Sequence, residues 1–264
     1  MKNIIVAAVL AGLSSTTTLA ADLGARAPYA KAPAMVDHLY NWTGLYMGAH
    51  AGYGFMKSTD AISGANAAGT AFLVSAGIPT SIPLDPSGFL VGGQFGYNWQ
   101  VSSAWVLGFE ADMSWTDMRK TVAERATNEV SRIMTAREKL DSFGTVRARL
   151  GFIPVDRLLV YGTGGLAYGH ARLSTALTLV NDGTTVCAGN NCQAGATSDT
   201  KVGWTIGAGT EWAFTNNWSL KAEYLYYDLG NLSHTMTDPS FPSIFNAAVQ
   251  LKGNIVRAGV NYRF

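Results

Sequence analysis

The chain has 264 residues, 48% of them hydrophobic and only 14% charged, with a formal net charge of +1. Ordinary soluble domains carry about 25% charged residues, so this composition argues against a purely water-soluble surface, and the absence of a basic excess removes the case for a nucleic-acid partner. Past the N-terminus no apolar run reaches the roughly 18–20 residues of a membrane helix, which leaves a closed β-barrel as the way to live in a bilayer.

The first 20 residues read as a secretory signal peptide. Lys2 supplies the positive region, Ile4 to Leu13 form a ten-residue apolar core, and small residues at Thr18 and Ala20 precede a cleavage site at Ala21. Removing them takes away Lys2 alone and leaves 18 basic against 18 acidic residues. Residues 21–39, with Pro28 and Pro33, read as a flexible periplasmic lead-in, and residues 40–264 as one barrel domain.

Eight strands are predicted in that domain from alternation of apolar and polar residues. Trp42–Met56 sets Leu45, Met47, Ala49, Ala51, Tyr53 and Phe55 on one face. Gly88–Val101 points Phe89, Val91, Phe95, Tyr97 and Trp99 outward, with Gln94 and Asn98 inward. Trp105–Met118 opposes Leu107, Phe109, Met113 and Trp115 to Glu110, Asp112 and Ser114. Leu140–Pro154 opposes Val146, Ala148, Leu150 and Phe152 to Thr145, Arg147 and Arg149. Leu158–Thr178 is rich in glycine and its facing is ambiguous. Val202–Thr215 opposes Trp204, Ile206, Ala208 and Trp212 to Thr205 and Glu211, and Trp218–Leu229 opposes Leu220, Tyr224 and Tyr226 to Ser219, Lys221 and Glu223. The last strand, Val249–Phe264, alternates Val256, Ala258, Val260, Tyr262 and Phe264 with Arg257, Gly259, Asn261 and Arg263, and the chain stops on the aromatic. Val260, Tyr262 and Phe264 are the expected signal for barrel-assembly machinery.

The connections alternate in length. Val101–Ala104, Val155–Arg157 and Thr215–Asn217 are tight; Lys57–Ser87, Arg119–Lys139, Leu179–Lys201 and Gly230–Ala248 are long. Short periplasmic turns opposite long external loops are the signature of an all-β, eight-stranded antiparallel transmembrane barrel. Aromatics flank the short turns (Trp99, Trp105, Phe214, Trp218), with Trp42 and Phe264 at the two ends, where a periplasmic girdle is expected.

If the apolar face meets lipid, the lumen receives Glu110, Asp112, Glu211 and Glu223 against Arg147, Arg149, Lys221 and Arg257, with His50, Gln94 and Asn98 beside them. An eight-stranded interior is just wide enough for side chains, so balanced charges there should pair and plug it. Catalysis finds no support: four scattered His, no Gly-x-Ser-x-Gly elbow, and a glycine run at Gly162–Gly165 lacking the Lys-Ser/Thr of a phosphate loop, where glycine more plausibly relieves crowding. No metal-ligand spacing stands out and no cofactor is implied. Cys187 and Cys192, in the third long connection, are expected to form a loop-pinning disulfide in an oxidising compartment.

Several segments together resemble a known family. Tyr40 to Tyr46 (YNWTGLY), Val146 to Gly151 (VRARLG), Tyr161 to Gly169 (YGTGGLAYG), Gly203 to Gly209 (GWTIGAG) and Lys221 to Tyr224 (KAEY) are similar to the small outer-membrane immunogenic proteins of alphaproteobacteria, the rhizobial and Brucella-type 25 and 31 kDa surface antigens of the OmpA-like, porin-family barrels. The resemblance implies an eight-stranded barrel in the outer membrane and an envelope role; relatives are described as porin-like, immunogenic or haemin-binding. The reading is therefore a non-enzymatic surface barrel with a plugged lumen, with a narrow solute channel and a loop-borne ligand or host-factor binder as alternatives. Its expected partners are outer-membrane lipid, lipopolysaccharide and the assembly machinery.

Overall fold

Alternating residues in the chain pair into long antiparallel ladders in the computed structural model, which describes residues 40–129, 131–181, 184–186, 192–238 and 241–264. The signal segment and the lead-in lie outside the described residues. In chain order the elements are β1 (Gly44–Met56), β2 (Thr59–Gly64), α1 (Ala67–Ala76), β3 (Ser81–Pro83), β4 (Ser87–Gln100), β5 (Trp105–Arg125), β6 (Arg132–Val155), β7 (Leu158–Asn181), β8 (Thr184–Val186), β9 (Gln193–Ala213), β10 (Trp218–Asp238) and β11 (Phe241–Arg263). Eight of them, β1-β4-β5-β6-β7-β9-β10-β11, follow one another around a ring. It closes where β1 meets β11, from Tyr46 opposite Arg263 to Met56 opposite Gly253.

The outward apolar face matches the alternation. Leu45, Phe95, Leu107, Phe109, Leu150, Leu166, Ile206, Leu220 and Val260 are exposed, as they would be to lipid. At the short-turn end the aromatics form a girdle, with Trp105 edge-on to Phe152 at 5.4 Å, Trp218 to Tyr262 at 5.0 Å and Tyr262 to Phe264 at 5.2 Å. Tyr53, Phe89, Trp115 and Trp204 are exposed toward the other end. Trp42 departs from the expected girdle. It is only 2% exposed and lies edge-on to Tyr40 at 4.9 Å, within an apolar cluster with Val106, Leu159, Tyr161 and Ala213 at the short-turn end of the barrel. Its backbone N–H donates to Gln100 Oε1 at 2.9 Å, which draws the chain inward before β1 begins.

A strand needs about 9–11 residues to cross the hydrocarbon, yet β5, β9 and β10 have 21 residues, β11 has 23, and β6 and β7 have 24. Much of what the alternation leaves as long external connections is therefore paired strand that stands beyond the membrane. Here the two faces exchange character: polar side chains point out and apolar ones point in. Met134, Ala136, Leu173, Leu177, Met236, Phe245, Val249 and Leu251 fill the interior of this extension.

The first connection completes the extension. β1 and β4 stop near the membrane boundary, and β2 takes β1's place beside β11, pairing Ala61–Gly64 with Phe245–Ala248. β3 pairs with β2 and lies against β5. Between β2 and β3, α1 packs on β11 and brings Phe72 within 6.2 Å of Phe245. Asn66 caps the helix by accepting from Gly69 N–H at 2.7 Å, and its amide donates to the carbonyl of Pro242 at 2.6 Å. Gly77, at φ 62°, ends it in the left-handed region, and the backbone N–H groups of Asn128 and Glu129 cover the carbonyl of Ala76. Because Asn66 serves both as cap and as tie to β11, Asn66→Ala is expected to cost about 1–2 kcal/mol locally. The check is limited proteolysis of the folded protein: faster cleavage within residues 65–80 is expected, and an unchanged cleavage pattern would show that the cap is dispensable.

Candidate functional site

Inward side chains of β5, β6, β9, β10 and β11 meet at mid-height of the membrane portion. Glu110, Asp112, Glu211, Glu223, Arg147, Arg149, Lys221 and Arg257 are each 4% exposed or less. Four acids face four bases, so the buried layer is neutral.

Glu110 is the hub. It receives Lys221 Nζ at 2.7 and 2.8 Å, Arg147 at 2.5 Å and the Tyr46 hydroxyl at 2.9 Å, with Arg149 at 3.5 Å and Arg257 at 3.7 Å. Asp112 accepts from both terminal nitrogens of Arg257 at 3.0 Å, from Arg147 at 3.1 Å and from the Thr145 hydroxyl at 2.5 Å. Glu223 accepts from Arg147 at 2.8 Å, from Arg257 Nε at 2.7 Å and from the Tyr161 hydroxyl at 3.1 Å. Glu211 holds Arg149 at 2.8 Å, Ser219 at 2.6 Å and Asn261 at 2.8 Å. Each carboxylate thus has several donors, the condition under which buried charge is tolerable.

The ring order decides what these contacts span. β5 and β10 stand four places apart in a ring of eight, so the Lys221–Glu110 contact runs across the full diameter. Arg147–Glu223 and Arg257–Asp112 span three places each. The layer is bounded by the Tyr40–Trp42 cluster toward the short turns and by the apolar interior of the extension toward the other end.

All eight charged residues read from the sequence come together here. His50, Gln94 and Asn98 are also buried: His50 is hydrogen-bonded to Gln94 and lies 2.7 Å from Ser114 Oγ, and Gln94 donates to Asn261 at 2.7 Å. Sequence reasoning missed Tyr46 and Tyr161. Their rings flank the Arg149 guanidinium at 5.6 and 3.9 Å, and Tyr46 also accepts from it at 2.6 Å. Strand parity carried the signal for Tyr46, which falls between the outward Leu45 and Met47; Tyr161 sits on the ambiguous strand. Gly96 and Gly209 make room for these two hydroxyls, since a Cβ there would lie 2.4 Å from Tyr46 Oη and 2.5 Å from Tyr161 Oη. The glycines of the Tyr161 strand divide. Gly165 relieves a close approach to the β6 backbone, whereas Gly162 has open space around it and Gly164 only one ordinary contact, so crowding does not account for these two.

A second buried polar group lies in the extension. Glu138 and Asp60 are 1% and 0% exposed; Ser58 donates to Glu138 at 2.5 Å and Thr175 to Asp60 at 2.9 Å. The other oxygen of each carboxylate has no hydrogen-bond partner among the described residues. Burial, reinforced by Asp60 and Asp85, pushes the Glu138 carboxyl up to about 7. Cys192 is disulfide-bonded, while Cys187 lies outside the described residues.

Comparison with known proteins agrees with this architecture. Residues 7–264 match the family model for the outer membrane protein beta-barrel domain. The 31 kDa outer-membrane immunogenic protein of Brucella melitensis biotype 1 is 37% identical over the full length of both chains. The 25 kDa outer-membrane immunogenic protein of Brucella abortus biovar 1 is 26% identical over 100% of this chain and 99% of its own. The 22 kDa outer membrane protein of Rhizobium leguminosarum bv. viciae is 29% identical over 66% of each chain.

Proposed function

This chain belongs to the outer membrane β-barrel domain family and resides in the outer membrane, and from that premise we propose that it is a structural surface barrel whose lumen is closed by its own charges. The observation that carries this reading is the direct contact of Lys221 with Glu110 across the barrel diameter. At that level the two side chains occupy the space a solute path would need, and the layers on either side are mainly apolar. Such a barrel holds a rigid, extended external portion at the cell surface, which suits a protein that reinforces the envelope and meets the outside with paired strands.

Ion pairs in a dry interior are poor evidence for net stability, because desolvation consumes most of their attraction. Their value here is closure and register: each acid finds its donors only when all eight strands stand in order.

Conductance of the refolded protein in a planar bilayer tests the reading. Silence from protein shown to be folded is expected. Steady openings of constant size would overturn it and favour a narrow channel with Arg147 and Arg149 at the constriction.

A further inference from the structure

Outside the barrel, on the flank formed by β5, β6 and β7, bases line up just beyond the lipid-facing band. Arg119 on β5 stands directly opposite Lys139 on β6, and Lys139 directly opposite Arg172 on β7. Like charges in directly opposed cross-strand positions repel, and three in a row call for anions. Two acids answer in part: Asp117 lies 3.3 Å from Arg119, and Asp141 lies 2.5 Å from Lys139 and 2.6 Å from Arg172. Arg137, next outward on β6, is exposed and has no acidic partner among the described residues. Four bases against two acids leave the patch positive.

The patch has a shape as well as a charge. Arg137, Lys139 and Arg172 line an open cavity of about 480 Å³ with Ser174, Thr197 and Ser198. It continues outward into a second of about 590 Å³ between β6, β7 and β9, which shares Arg137, Ser174 and Ala196 and is otherwise walled by small residues such as Thr135, Ala194 and Gly195. Membrane-ward of the row lie the exposed Trp115 of β5 and the half-buried Tyr168 of β7, the outermost aromatics of the lipid face on those strands. The bases therefore sit at headgroup depth, and the groove of small polar residues rises from them away from the bilayer.

We propose that this flank is a binding site for an acidic glycolipid of the outer leaflet, its anionic headgroup held by Lys139, Arg172 and Arg137 and its saccharide lying in the groove between β6, β7 and β9. Guanidinium groups grip phosphate or carboxylate oxygens in pairs, and an apolar band directly below accommodates the acyl chains. The depth favours a lipid over a soluble anion: a free phosphate has no use for the band or for the length of the groove. Asp141 holds Lys139 and Arg172 in place when the site is empty.

The test uses the full protein refolded in neutral detergent and titrated with bisphosphorylated lipid A, binding being read from the intrinsic tryptophan fluorescence and from the temperature at which the folded band is lost in a gel. Saturable binding is expected, weakening as salt rises. The triple variant Arg137→Gln/Lys139→Gln/Arg172→Gln should lose affinity on the order of a hundredfold. All three side chains point away from the interior, and Lys57→Gln/Lys252→Gln, on the opposite flank, should bind as the parent does. Inorganic phosphate and phosphatidylglycerol serve as the other arms. Displacement of lipid A by millimolar inorganic phosphate would assign the site to a free anion and overturn the proposal. Equal binding of phosphatidylglycerol, or unchanged affinity in the triple variant, would reduce the flank to general surface attraction and overturn it too.

Discussion

Replacing Arg147 and Arg149 together by Leu is expected to lower the unfolding free energy of the barrel by on the order of 5 kcal/mol, since breaking even one buried pair from one side costs about 3–5 kcal/mol. The two substitutions leave Glu110, Asp112, Glu211 and Glu223 facing only Lys221 and Arg257, a buried excess of two negative charges. Glu211 loses Arg149, its one basic partner among the described residues, and Tyr46 and Tyr161 lose the guanidinium their rings enclose. The readout is the temperature at which the refolded protein loses its compact gel mobility, supported by urea unfolding in detergent. Adding Glu110→Gln and Glu211→Gln restores neutrality without restoring the arginine contacts. Recovery of a substantial part of the loss would identify charge imbalance as the cause. A double variant as heat-resistant as the parent would remove these arginines from any structural role.

The second large effect is one of pH, and it lies in the extension. Glu138 is held up at about 7 against an ordinary 4.5. Between those values the folded protein keeps a proton that the unfolded chain has given up, so the proton favours the folded state. Its contribution is complete below about pH 4.5 and disappears as pH rises through 7. The difference corresponds to roughly 3 kcal/mol. Asp60, also raised by burial, adds in the same direction.

The described surroundings explain why a charge on Glu138 is poorly offset. Ser58 offers one hydrogen bond, Asp60 and Asp85 repel, the fully buried Tyr227 hydroxyl has no partner among the described residues, and Leu173 stands opposite on β7. Lys120 is opposite in the β5 ladder, but its side chain is exposed and forms no ion pair with Glu138 among the described residues. Thermal midpoints measured from pH 5 to pH 9 should therefore fall with rising pH, and Glu138→Gln should flatten most of that slope while raising stability above pH 7. A flat profile in the parent protein would show that Glu138 reaches water or a counter-charge in solution.

The strands that carry the membrane portion were legible because lipid on one side and packed charge on the other impose a period of two on every residue. Glu110, Arg147, Arg149, Lys221 and Arg257 announced themselves as charges on the face opposite Leu107, Leu150, Leu220 and Val256. Which acid meets which base was not legible, because that depends on the ring order and register of strands far apart in the chain. Glu110 and Lys221 are 111 residues apart and meet only because β5 and β10 are diametrically placed.

The extension escaped for a different reason. Beyond the bilayer the apolar face turns from outside to inside, so β7 shows Leu166 and Tyr168 outward but Ala171, Leu173 and Leu177 inward, and its alternation changes phase partway along. On β6 and β10, bulges at Leu140/Ser142 and Asp228/Asn231 shift the register by one as well. A pattern that reverses at an unmarked depth reads as ambiguity or as loop. By itself, then, the sequence determined the compartment, the barrel and the charged residues of its lumen, since each follows from the local chemistry of alternate residues. Only the tertiary structure decided the pairing of the charges, the burial of Trp42 and the folding of residues 57–87 into the extension, because these rest on contacts between segments that no local period connects.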